Sequence, residues 1–375
     1  MAEPRKIVLI LGNGFDLDLG LKTSYKDFWE SEFCPKDYPA PLIQHLNEHW
    51  KEDIESVRWY DLENELHAYA TIEEKTDVID EKQRSYIRSH SDYELTLAST
   101  YTGVDDVFTS LVQTGIIRIE GVLRSAYVPY RDDLLESATW RDRKAVGLIK
   151  EGLCKYLKSI SGQSTGNHSI ALSVLLAANC ARESGDFLNI YTFNYTPLPV
   201  DHGNGFQNIV HYVHGNCEKG KIIIGTRDDG EIDEGYDFLQ KSFDPNFNPP
   251  SLVAYLLEAD EVIIFGHSIG ENDRQYFKAF FKQQTDFTHP NQKEIIIFTW
   301  DDDSEVGIKR SLQKMTDNNL SSLYGLNHVE IIKTSNFPKD SNTLRMFLSR
   351  HISNEIQVSV TYNQLLEEYR NNRTL

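Results

Sequence analysis

Two side chains in the middle of the chain have the chemistry needed to activate a water molecule. His214 carries an imidazole with an ordinary pKa near neutrality, so it can accept a proton as a general base. Asn194 carries an amide that can hold a water or a ribose hydroxyl without adding charge. His211 is the nearest competitor for the role of base, because it precedes His214 by three residues and lies on the predicted strand 208–213. A turn-stabilising role for Asn194 and a polar strand-end role for His214 are the alternative interpretations.

A glycine-rich turn near the start of the chain predicts a nucleotide site. Glycines between a buried strand and a helix expose backbone N–H groups at the positive end of the helix dipole, where phosphates bind. Asp16 is a candidate contact for a ribose, or alternatively a helix cap. The G-x-G-x-x-x-x-x-G spacing differs from the G-x-G-x-x-G of nicotinamide dehydrogenases, and a tight turn without a ligand is the other interpretation. The candidate binding residues in this segment are Gly12, Asn13, Gly14, Phe15, Asp16, Gly20 and Thr23.

A second turn, from Gly266 to Asp273, follows another apolar run. Gly266 and Ser268 are candidates to approach a pyrophosphate, and His267 is a candidate ribose or phosphate contact. The alternatives are a capping box, from the spacing of Ser268 and Glu271, and an ordinary first-turn acid for Asp273.

Further candidates rest on position alone. Asp61 and Glu63 lie on a predicted helix that can close over a sugar or face solvent. Thr226 follows one predicted strand. Trp300 and Asp301 follow another and are candidates to contact an adenosine. The acidic segment 228–244 has no regular ligand spacing, so we interpret it as a solvated loop and expect no metal ion.

The elements that must position these residues alternate in the second half of the chain. Apolar runs at short intervals predict strands, and helical segments separate the later ones, as in a doubly wound, mostly parallel α/β sheet of the Rossmann-like class. The predicted strands are 5–11, 186–192, 208–213, 221–224, 261–265, 294–298 and 328–332. In such a sheet ligands bind beyond the carboxyl ends of the strands, and most of the candidates above follow a predicted strand.

The remaining sequence predicts a discontinuous domain organisation. Residues 1–39 and 180–352 form the nucleotide-binding α/β domain, and residues 40–179 form a helical insertion. Residues 353–375 are predicted as a polar terminal helix or tail.

Composition excludes several classes of protein. A formal net charge of −19 opposes sequence-independent nucleic-acid binding, so we expect no nucleic-acid partner. The 4 cysteines form no C-x-x-C pair, and no apolar window approaches the length of a membrane span. We therefore expect a cytoplasmic protein without a membrane partner.

Several ordered motifs together resemble the AbiH family of bacterial abortive-infection proteins, which act against bacteriophage. These motifs are 12–16 with 20–25, 59–63, 193–196, 214–216 and 266–273. The same series more distantly resembles the sirtuin-like NAD-binding fold, which implies NAD as the substrate. Thr196 stands where sirtuins carry Asp, and their four-cysteine zinc module is absent, so NAD cleavage is implied more strongly than deacylation.

Together, the motifs and the resemblance predict a defence effector that hydrolyses NAD, with Asn194 and His214 as catalytic residues. The helical insertion is the expected gate or oligomerisation surface, so a homo-oligomer and a phage-derived trigger or partner defence protein are expected. A non-catalytic nucleotide sensor is the second hypothesis. A metal-dependent nuclease built on Asp16, Asp61, Glu63 and Asp273 is the third.

Overall fold

A computed structural model describes nine stretches of the chain. They are residues 3–53, 62–72, 138–161, 169–183, 185–198, 209–233, 235–248, 251–288 and 292–336. Residues 73–137 of the predicted helical insertion, the tail 353–375 and the candidate Asp61 lie outside the described residues.

Six parallel strands of the described chain form one sheet. In chain order they are β1 (Lys6–Leu11), β2 (Phe187–Thr192), β3 (Val210–Tyr212), β6 (Glu261–Phe265), β7 (Glu294–Thr299) and β8 (His328–Lys333). Their spatial order is β3-β2-β1-β6-β7-β8, and every neighbouring pair is parallel. The prediction of a mostly parallel α/β sheet is confirmed. From β1 the chain builds the sheet first to one side and then to the other, which creates a switch point between β1 and β6.

The central strands are apolar along their whole length because both faces of the sheet are covered. Every residue of β6 is buried, and so is each residue of β1 after Lys6. The helices on the sheet are α6 (Ile170–Glu183), α7 (Leu252–Glu258), α8 (Arg274–Gln283), α9 (Asp302–Met315) and α10 (Leu320–Leu326). Helix α6 shares one buried core with β1 and β2.

A separate layer of helices forms a second core. It contains α3 (Pro41–Asp53), α4 (Leu62–Ala70) and α5 (Ala138–Ile160), whose apolar side chains pack together. Two shorter helices, α1 (Asn13–Asp18) and α2 (Tyr25–Glu30), follow β1. None of the described helices is both long and apolar enough to cross a membrane.

One expected strand does not join the main sheet. The run 221–224 contributes β5 (Lys221–Ile222), which pairs antiparallel with β4 (Gly215–Asn216) in a two-stranded ribbon. The prediction that Thr226 follows a strand of the parallel sheet is therefore wrong. An apolar run predicts a strand, but it does not specify which partner the strand takes.

Candidate functional site

The two glycine turns pack directly against each other at the switch point. A Cβ atom added to Gly12 would lie 2.5 Å from the Cα of His267, and one added to Gly14 would lie 2.6 Å from the Cα of Gly266. Gly266 has a φ of +62°, in the region that favours glycine. These glycines therefore allow two strand-end loops to approach each other closely.

The amides of the first turn are engaged by the second. Gly12 N–H donates to the Phe265 carbonyl at 3.0 Å, and Gly14 N–H donates to the Gly266 carbonyl at 2.9 Å. The expectation of bare N–H groups is wrong for these two amides. They hold the end of β1 against the end of β6.

Asn194 and Asp16 join this junction from the end of β2 and from α1. The Asn194 side-chain amide donates to the Gly12 carbonyl at 3.0 Å and also bonds the Asp16 carboxyl. The Thr196 hydroxyl donates to Asp16 Oδ2 at 2.6 Å. Asp16 is buried and does not cap α1, whose N-cap is Gly12, without a side-chain bond. Burial raises the pKa of Asp16 to about 7, although the bonds from Thr196 and Asn194 oppose that rise.

A cluster of charged and polar side chains lies beside the junction, centred on Asp273. His214 Nε2 lies 3.2 Å from Asp273 Oδ1, and His267 Nε2 lies 3.3 Å from Asp273 Oδ2. Lys241 Nζ lies 3.0 Å from Asp273 Oδ1 and 2.9 Å from Glu63 Oε2. We call Asp273, Lys241, Glu63, His214 and His267 the charged cluster.

The hydrogen bonds assign different roles to the two imidazoles. Ile269 N–H donates to His267 Nδ1 at 2.9 Å, so the His267 proton lies on Nε2 and points to Asp273. Both His267 nitrogens are therefore engaged, and His267 is a positioning residue. His214 Nε2 lies 3.2 Å from Asp273 Oδ1 and 3.4 Å from Lys241 Nζ, and in the tautomer that donates from Nε2 to Asp273 the basic nitrogen is Nδ1.

The electrostatics of the charged cluster favour ionised carboxylates and neutral imidazole. Burial would raise the pKa of Asp273, but Lys241 and the two histidines hold that pKa well below its usual range. Burial alone would lower the pKa of Lys241, but Asp273 and Glu63 raise it above its ordinary value. Burial and the Lys241 charge lower the pKa of His214, so at neutral pH its imidazole is a base rather than a cation.

Sequence reasoning missed Lys241. It lies in the segment interpreted as a solvated loop, yet Lys241 is completely buried, as are Tyr236 and Leu239. The interpretation as a solvated loop is wrong for this part of the segment. Thr226 is also fully buried. Its carbonyl accepts a hydrogen bond from the Lys241 N–H at 3.0 Å, which helps to hold the lysine backbone in place.

Other candidates have local structural roles. Asp301 caps α9 by accepting from Ser304 N–H at 3.0 Å, and the neighbouring Trp300 is exposed. Ser268 is exposed and forms no capping box, because the turn at Glu271–Asp273 has Gly270 as its N-cap, without a side-chain bond.

The remaining candidates of the first turn are also accounted for. Phe15 is buried in the apolar core, and the Thr23 hydroxyl donates to Asn13 Oδ1 at 2.6 Å. Gly20 follows α1 with a φ of +81°. His211 lies apart from the charged cluster and stacks on Tyr191, with ring centroids 4.6 Å apart.

The arrangement can bind a cationic centre and remove a proton from a water. Ionised Asp273 and Glu63 supply negative charge, and His214 supplies a base that Asp273 orients. Asn194 uses its amide N–H groups inside the protein, which leaves Oδ1 to accept from a hydroxyl or a water.

Comparison with known proteins agrees with this interpretation of the motifs. The family described as Bacteriophage abortive infection AbiH matches residues 8–289, a span that includes the glycine junction and every member of the charged cluster. A search of curated proteins found no match. The match covers more than half of the chain, which therefore belongs to the AbiH family of bacteriophage abortive-infection proteins.

Proposed function

We propose that this abortive-infection protein acts by hydrolysing NAD to nicotinamide and ADP-ribose at the charged cluster and the adjoining glycine junction. The observation that carries the proposal is the His214–Asp273 pair, in which the imidazole is buried and Nε2 lies 3.2 Å from Oδ1. A base oriented by a carboxylate is the arrangement by which enzymes activate water or hydroxyl nucleophiles.

The position of the pair in the sheet supports a nucleotide substrate. Numbered along the chain, the six parallel strands have the order 3-2-1-4-5-6, which is shared with dinucleotide-binding doubly wound sheets. In those sheets the ligand lies beyond the carboxyl ends of the strands at the switch point, where β1 and β6 end here. Asn194 and His267 both contact Gly12 at this point, and His267 links the junction to Asp273.

The chemistry of NAD cleavage matches the groups available. The bond between ribose C1′ and the nicotinamide nitrogen breaks, and its electron pair neutralises the pyridinium as nicotinamide leaves. No general acid is needed for that leaving group. Positive charge then develops on the ribose, as in glycoside hydrolysis, and Asp273 and Glu63 provide negative charge to stabilise it.

Water completes the reaction by adding its oxygen to C1′. Its proton passes to His214 Nδ1 and then to solvent, so the products are ADP-ribose, nicotinamide and one proton. Asn194 Oδ1 accepts from the attacking water or from a ribose hydroxyl, which fixes the direction of attack. Depressing the pKa of His214 keeps this base available at neutral pH.

The test is release of nicotinamide from NAD by the purified full chain, measured by mass spectrometry, together with NAD content in phage-infected cells. We expect His214→Ala and Asn194→Ala each to reduce the rate at least about 10²-fold. The matched control is His211→Ala, because this histidine occupies β3 without contacting Asp273. It is expected to retain the activity of the unmodified chain.

Two results would overturn the hydrolysis. One is intact NAD in protected infected cells and with the purified chain. The other is an equal rate in all three variants. Saturable NAD binding without products would favour the nucleotide-sensor hypothesis in its place.

A further inference from the structure

A cluster of two imidazoles and one carboxylate lies in the helical layer, away from the Asp273 cluster. His45 and His49 are separated by four residues on α3, so they lie on the same helix face. Glu65 approaches them from α4. Its Oε2 lies 3.1 Å from His49 Nδ1 and 3.7 Å from His45 Nε2, and the three ligand atoms all lie within 4.8 Å of one another.

Two of these atoms are buried without the hydrogen bonds that polar atoms require. Among the described residues, neither His45 Nε2 nor Glu65 Oε2 makes a hydrogen bond of good geometry, although each is shielded from solvent and the two nearby histidines lower the pKa of Glu65. Burying such atoms unsatisfied costs about 1–3 kcal/mol each. A cation within reach of both would satisfy them, because an imidazole nitrogen and a carboxylate oxygen can each donate a lone pair to a metal ion.

We propose that His45, His49 and Glu65 bind one zinc ion. Two imidazoles and a carboxylate with a fourth position open to water are a zinc ligand set, whereas calcium and magnesium require a shell of oxygens. Ligands at zinc distances of about 2.0–2.2 Å in a tetrahedron lie about 3.4 Å apart. Both separations from Glu65 are already close to that value.

The position of the site between two helices determines what zinc binding does to the structure. It joins α3 to α4, and α4 also carries Glu63, which pairs with Lys241 in the charged cluster. Next to it, Asn64 Oδ1 accepts from the Asn272 side chain at 3.0 Å. Zinc therefore stabilises the helix that reaches the candidate active site. The sequence alone led us to expect no metal, because the acidic segment 228–244 has no regular ligand spacing and His45, His49 and Glu65 were not recognised as a set.

The experiment uses the tag-free full chain, stripped with a chelator and titrated with zinc sulfate. Isothermal titration calorimetry and elemental analysis after desalting measure affinity and stoichiometry. We expect one zinc per chain, with at least about tenfold weaker binding in His49→Ala and in Glu65→Gln. The matched control is His328→Ala, an exposed histidine on β8, which is expected to bind zinc as the unmodified chain does.

A second readout separates zinc binding from simple loss of folding. Zinc in excess is expected to raise the thermal midpoint of the unmodified chain and of His328→Ala, but not that of Glu65→Gln. Before zinc is added, circular dichroism establishes that each variant is folded. Absence of zinc binding by the stripped chain means that the cluster is an ion pair only and overturns the proposal. Equal affinity and an equal thermal shift in the Glu65→Gln and His328→Ala variants overturn it as well.

Discussion

Asp142 in the helical layer and Asp273 at the sheet edge are both carboxylates shielded from solvent, but their partners differ in charge. Asp142 accepts from Tyr69 OH at 2.6 Å, from Tyr236 OH at 2.9 Å and from Leu42 N–H at 2.8 Å. Asp273 instead lies against Lys241 and two histidines. Accordingly, burial raises the pKa of Asp142, whereas the Lys241 charge and the hydrogen bonds from the two histidines lower the pKa of Asp273 despite its burial.

This difference in partners distinguishes Asp142, a structural carboxylate, from Asp273, a candidate for chemistry. Three neutral donors hold α3, α4 and α5 around Asp142, and the charge of the neighbouring Arg141 lowers the Asp142 pKa less than those bonds do. Helix packing therefore does not account for the charged cluster. A group of coupled charges at the ligand-binding edge of a parallel sheet is instead typical of a functional site.

Removing the cation from the charged cluster is expected to have the largest effect on stability. Lys241→Met leaves Glu63 and Asp273 buried without their counterion, so we expect a loss of about 3–5 kcal/mol in the free energy of unfolding. The counterpart in the helical layer is Tyr236→Phe, which removes one neutral bond and is expected to cost about 1 kcal/mol.

Urea unfolding at neutral pH measures both changes. The double variant Lys241→Met/Glu63→Gln is expected to regain part of the loss, because it removes one of the two unpaired charges. Equal losses in Lys241→Met and Tyr236→Phe would contradict the contrast between the two regions.

The glycines of the two regions offer a second contrast. In Gly14→Ala the new Cβ would lie 2.6 Å from the backbone Cα of Gly266, so one loop must move, and we expect a loss of about 3 kcal/mol. A Cβ added to Gly147 on α5 would have no neighbouring atom within 4 Å. There we expect Gly147→Ala to gain about 0.5–1 kcal/mol from helix propensity. Thermal and urea unfolding measure both changes in stability. A loss of stability in both variants would contradict the expected difference between Gly14 and Gly147.

Much of the fold could be predicted from sequence because it depends on local apolar runs. The strands of the parallel sheet follow such runs, and so did the expected positions of Asn194, His214, His267 and Asp273 at strand ends. Local sequence could not show which of two roles the glycines of the turns have. Close approach to a phosphate and close approach to another backbone both require that Cβ be absent, and the structure shows the second for Gly12 and Gly14.

Lys241 could not be predicted because its partners come from elsewhere in the chain. Acidic neighbours in sequence suggested a solvated segment, whereas Glu63 from α4 and Asp273 from the second glycine turn neutralise its charge in three dimensions. His45, His49 and Glu65 illustrate the same limit. Their convergence depends on how α3 packs against α4, which spacing alone does not report.

Asp16 provides a finer test of the comparison, because it lies at the sheet edge but has neutral donors like those of Asp142. Its pKa is about 7 in the folded chain, against an ordinary value of 3.8. Between these values the folded chain binds the proton more tightly than the unfolded chain does. The stabilising contribution of Asp16 is therefore present below about pH 4 and is lost as pH rises through 7.

Asp16→Asn removes this titration, so its stability relative to the unmodified chain is expected to improve by about 2 kcal/mol between pH 5 and pH 8. Urea unfolding of both chains at the two pH values measures the difference, in which the other titrating groups cancel. Thr196→Val sharpens the test. It removes a donor that lowers the pKa of Asp16, so the pH-dependent loss of stability should move to higher pH. If the free energies of unfolding of the unmodified chain and Asp16→Asn changed in parallel with pH, Asp16 would be ionised throughout this range. Asp16 would then resemble Asp273, an ionised carboxylate, rather than Asp142.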